Sequence, residues 1–77
     1  MVESLYIDFR DRRDLEIIAD MVEPGQRVLD LGCGDGSFLR MLHEKRGADV
    51  LGMEIDAELV AECISNGVPV VQSDLDD

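Results

Sequence analysis

The stretch Asp30 to Gly36 (DLGCGDG) constrains this chain more than any other. It places an acid at the end of the short apolar run Arg27 to Leu31 (RVLDL), then glycines at positions 32, 34 and 36. Glycine at that density signals backbone in positive φ and a place where a ligand approaches the main chain with no Cβ in the way. A strand that runs through such a loop into a helix leaves the first N–H groups of the helix at the loop's mouth, where they suit a carboxylate or another anion. The stretch therefore reads as a strand, loop and helix of a parallel α/β fold. A tight turn with no ligand is the alternative reading of the glycines taken alone.

The rest of the chain fits that frame. Leu15, Ile18, Met21 and Val22 recur at helical spacing, with Asp11 or Asp14 as N-cap, and Pro24-Gly25 ends this first helix. A second helix is expected from Ser37 to Arg46, burying Phe38, Leu39 and Leu42, with Lys45 and Arg46 in its last turn and Gly47 just past its end. Val50 to Ile55 reads as a second strand. Asp56 then caps a third helix with the apolar stripe Leu59, Val60, Cys63 and Ile64, and Val68 to Gln72 is a third strand that tolerates Pro69 near its start. Alternation of helix and strand points to a Rossmann-like, doubly wound parallel sheet, of which the chain holds the first three strands and their helices only. Residues 1–77 are read as the N-terminal part of a single domain, with 1–12 a lead-in and 13–77 the α/β portion. In such a sheet the first strand, Arg27 to Leu31, pairs on its other side with a fourth strand. With that strand outside the chain, the edge should lie open and the chain should be poorly folded or self-associating.

Three acids at strand ends define the candidate site. A dinucleotide loop reads GxGxxG, but the sixth position counted from Gly32 is Ser37. Asp30 also disfavours a pyrophosphate, which it would repel, and suits the ammonium and sulfonium of S-adenosylmethionine (SAM). Glu54 closes the second strand about twenty residues past the loop, the spacing at which an acid accepts from both ribose hydroxyls. Asp74 ends the third strand, where it could accept from an adenine amino group, and Ile55 and Leu75 would pack on the adenine faces. The cofactor-binding set is thus Asp30, Gly32, Cys33, Gly34, Gly36, Glu54, Ile55, Asp74 and Leu75, for SAM or S-adenosylhomocysteine. An acid after a strand also serves as an ordinary N-cap, which is the competing reading for each carboxylate alone.

Composition removes several other functions. Eighteen acidic against seven basic residues give a net charge of −11, which repels phosphate backbones and anionic lipid, so no nucleic acid and no membrane partner is expected. No apolar run approaches the roughly 18 residues of a membrane span, and the charged start does not read as a signal peptide, so a cytoplasmic protein is expected. Cys33 and Cys63 lie thirty positions apart with a single histidine, His43, which gives no metal-ligand spacing. Both thiols read as reduced and structural, and His43 as solvated.

With these residues in hand, the chain resembles the methionine biosynthesis protein MetW family within the class I SAM-dependent methyltransferases. The resemblance is carried by Arg13-Asp14-Leu15, by Arg27 to Gly36, by Gly52-Met53-Glu54-Ile55-Asp56, by Cys63 followed by Asn66-Gly67-Val68, and by Val71 to Asp76 (VQSDLD). It implies a SAM-binding, methyltransferase-like protein of methionine biosynthesis whose partner is a homoserine O-acyltransferase. The alternative it leaves open is an active SAM-dependent methyltransferase with an unknown acceptor. Catalytic positions would lie outside these residues.

Overall fold

A computed structural model of the chain describes residues 4–8, as backbone, and residues 15–73. Along the chain run β1 (Ser4–Asp8), α1 (Leu15–Met21), β2 (Arg27–Leu31), α2 (Ser37–Arg46), β3 (Asp49–Glu54), α3 (Ala57–Ser65) and β4 (Val70–Gln72). The expected order from α1 onward is present, with boundaries within two residues of the sequence reading. Asp74 and Leu75 lie outside the described residues.

The local signals act as anticipated. Gly47, at φ 70°, closes α2: its N–H reaches the His43 carbonyl at 3.2 Å, and the Ala48 N–H reaches Leu42 at 3.2 Å, the paired bonds of a Schellman end. Asp56 caps α3 by accepting from the Glu58 and Leu59 N–H groups at 2.9 and 3.3 Å. Arg46 departs from its expected role at the end of its own helix. Its guanidinium donates to the Val22 and Asp20 carbonyls at 3.2 and 3.3 Å, so it serves the negative end of α1. His43 is exposed as expected, with Nδ1 3.0 Å from the Ala48 carbonyl.

The sheet is parallel throughout, in the order β1-β2-β3-β4. The fold is Rossmann-like α/β, and it corrects one expectation. Residues 4–8 are not a lead-in: they pair with β2 in parallel register, Leu5 beside Val28 and Tyr6 beside Leu29, and cover the edge expected to be open. Five residues between charged stretches carry too little periodicity to separate a strand from a coil.

Right-handed crossovers that advance one strand at a time in one direction put every helix on the same face. One core cluster results, joining Ala19 and Val22 of α1 and its end, Phe38, Leu39 and Leu42 of α2, and Cys63 of α3 with Val28, Val50 and Cys33. On the sheet's other face the alternate residues Leu29, Leu31 and Met53 are half-buried, and Leu51 and Val71 are exposed. No helix among the described residues is long and apolar enough to cross a membrane.

Candidate functional site

All strands point the same way, so the loop after β2 and the residues after β3 and β4 meet at one edge of the sheet, where α/β folds bind ligands. The glycine loop is held there by its own chain. The Met53 carbonyl accepts from the Gly32 and Cys33 N–H groups at 2.8 and 3.1 Å, and the Gly36 N–H bonds back to Cys33 at 3.1 Å. Asp35 bends its side chain to accept from the Ser37 N–H at 2.9 Å, which uses one of the helix N–H groups expected to await a ligand.

Gly36 stands where α2 begins, at φ 81°. A Cβ there would lie 3.0 Å from the Cys63 sulfur and 3.2 Å from Val68, so both conformation and space require glycine. Gly52 plays a comparable part that sequence reading missed. A Cβ on this β3 residue would fall 2.5 Å from the Cys33 sulfur, so its lack of a side chain lets the loop lie down on the strand. An isolated glycine inside a strand is the signal that could have found it.

Glu54 ends β3 with only 8% of its surface exposed. Its Oε1 accepts from the Gly34 N–H and its Oε2 from the Asp56 N–H, each at 3.0 Å. The carboxylate therefore ties the loop to the start of α3. A carboxylate has about four lone-pair sites, so the two bonds leave acceptor capacity for hydroxyls. Asp30, near the end of β2 before the loop, is fully buried. Ile55 remains exposed beside Glu54. Asp74 and Leu75, the expected adenine contacts, fall outside the described residues.

Cys33 and Cys63 are free, buried thiols with sulfurs 3.5 Å apart. Burial, then the hydrogen bond and charge of Cys63, then Asp30 and Glu54, push the Cys33 thiol up to about 12. Cys63 is also raised, chiefly by burial. Thiols held in the protonated form are poor nucleophiles, which fits the structural role expected of them.

Against the loop lies a cavity of about 420 Å3 lined by Leu15, Gly34, Asp35, Ser37 and Phe38. A second cavity, of about 440 Å3, sits at the opposite ends of the strands by Arg27, Asp49 and Pro69, away from these acids. Among the described residues no group of His, Cys, Asp and Glu could hold a metal ion.

The family model for methionine biosynthesis protein MetW matches residues 12–77. A ribosomal protein L11 methyltransferase of Burkholderia vietnamiensis is 45% identical over 53 residues, which is 68% of this chain and 17% of that protein. A 23S rRNA (uracil(1939)-C(5))-methyltransferase of Thiobacillus denitrificans is 52% identical over 46 residues, 58% of this chain and 10% of that protein. The chain thus spans less than a fifth of the length of these curated relatives.

Proposed function

The chain belongs to the methionine biosynthesis protein MetW family and is methyltransferase-like, and on that premise we propose that it binds SAM or S-adenosylhomocysteine at the glycine loop. The observation that carries this reading is Glu54: a buried carboxylate at the carboxyl end of β3 in direct contact with the loop, 3.0 Å from the Gly34 N–H. The residues that would hold the ligand are the loop glycines 32, 34 and 36 with Cys33, Glu54 at the ribose hydroxyls, and Ile55 against the adenine. Asp74 and Leu75, outside the described residues, would complete the set at the adenine, and Asp30 would supply negative charge toward the sulfonium end. SAM brings an activated methyl group. The chain's own part is to bind and orient it.

Calorimetry on the protein that carries this chain tests the reading. SAM and S-adenosylhomocysteine should bind more tightly than NAD, because Asp30 repels a pyrophosphate and Ser37 replaces the last dinucleotide glycine. Equal or tighter NAD binding would sink it.

For the wider role, the family's description supports a place in methionine biosynthesis, and we propose on the resemblance alone a cytoplasmic protein with a homoserine O-acyltransferase as partner. Co-expression and pull-down should recover the complex, with altered acyltransferase activity when SAM is added. The second reading is a SAM-dependent methyltransferase with an acceptor still to be found, favoured by the names of the two relatives. Methyl transfer with no complex at micromolar concentrations would replace the first reading by the second.

A further inference from the structure

Two side chains at the end of α3 grip the glycine loop from behind. Cys63 Sγ lies 3.1 Å from the Gly34 carbonyl, and Asn66 Nδ2 donates to the Asp35 carbonyl at 2.8 Å. They hold consecutive peptides. Asn66 is well placed for this because its backbone caps α3, with its N–H bonded to the Glu62 carbonyl and the next N–H, of Gly67, to Ile64, while its side chain turns to the loop.

The consequence follows from peptide geometry. In a trans peptide the C=O and the N–H of the next residue point in opposite directions, and no peptide bond among the described residues is cis. Fixing the Gly34 carbonyl toward α3 therefore aims the Asp35 N–H away from α3. The cavity beside the loop is lined by Leu15, Gly34, Asp35, Ser37 and Phe38 and by no residue of α3. Fixing the Asp35 carbonyl as well keeps this peptide from rotating.

We infer that Cys63 and Asn66 are positioning residues of the ligand loop: they set the direction of the Asp35 amide toward an acceptor group of the ligand without touching the ligand. The inference rests on the SAM reading only for the ligand's identity. The loop geometry stands without it.

The test compares Asn66→Ala with Asn66→Asp and Cys63→Ala with Cys63→Ser, read by the amide resonances of Gly34, Asp35 and Gly36, by S-adenosylhomocysteine affinity and by Tm. Aspartate keeps the shape of asparagine but turns an acceptor on the carbonyl, so Asn66→Asp should disturb the Asp35 amide more than Asn66→Ala. Serine retains a donor at position 63, so it should preserve the amide positions better than alanine. Loss of affinity for Asn66→Ala should be about fivefold to tenfold, the scale of one hydrogen bond. Unmoved loop resonances in Asn66→Asp and Cys63→Ala would overturn the inference, whatever happens to Tm. If the parent fails to bind S-adenosylhomocysteine, the SAM reading falls, and the amide shifts still decide the positioning role.

Discussion

At the scale of single residues, Glu54 latches the loop and is proposed to hold the ligand, and one substitution read two ways tests both. Replacing it by alanine removes the acceptor of two backbone N–H groups, Gly34 and Asp56, and each buried donor left without a partner costs about 1 to 3 kcal/mol. Glu54→Ala should therefore lower the denaturant midpoint, and it should also weaken S-adenosylhomocysteine binding by about tenfold to a hundredfold. Lower stability with unchanged affinity would leave Glu54 a loop latch only. Cys33 makes a prediction in pH. Its folded thiol is raised from 9.0 to about 12, so below pH 9 both folded and unfolded chains keep the proton and nothing is lost. Between these values the unfolded chain releases its proton and the folded chain does not, so stability falls as pH rises. Urea unfolding at pH 8 and pH 10.5 should show a drop that Cys33→Ala reduces.

At the scale of elements, the start of α2 depends on one glycine. Gly36→Ala forces a side chain into φ 81° and within 3.0 Å of the Cys63 sulfur, so about 1 to 2 kcal/mol of backbone strain should be joined by displacement of α3. Thermal unfolding should register it more strongly than Asp56→Ala, whose lost cap is worth about 1 kcal/mol. β1 carries its own test. Because it pairs with β2 along Ser4–Asp8, deletion of residues 1–8 should speed hydrogen exchange in Val28 to Leu31. Exchange that does not change would mean that β2 holds its protection without β1.

At the scale of the molecule, the helices cover one face of the sheet and the other carries Leu29, Leu31, Leu51, Met53 and Val71. The covered β2 edge changes the reason for expecting association. For the 77-residue chain by itself, the driving surface is this apolar face rather than the β2 edge, and the charge of −11 opposes contact only at low salt. Sedimentation should show self-association that increases with salt and that Leu51→Ser reduces. A monomer at all salt concentrations would show that the face is tolerated in water.

The sequence by itself determined the order of elements from α1 onward, the Gly47 end of α2 and the Asp56 cap of α3, the glycine loop, and Asp30 and Glu54 at their strand ends, while the expected cap, Asp11 or Asp14, and the acid Asp74 lie outside the described residues. These are local matters: periodicity, capping chemistry and positive-φ glycines act over a few residues and can be read from them. Only the tertiary structure decided which partners those residues take. Glu54 is bonded to Gly34 twenty positions away, Asn66 to Asp35 thirty-one away, and Cys33 rests on Gly52 because a strand and a loop are stacked. Arg46 caps a different helix from its own for the same reason. β1 belongs to this second class as well, since a five-residue strand has almost no preference of its own and is made by the ladder it joins. Contacts between distant segments depend on how strands stack and in which direction the sheet winds, and that information is not held in any one stretch of the chain.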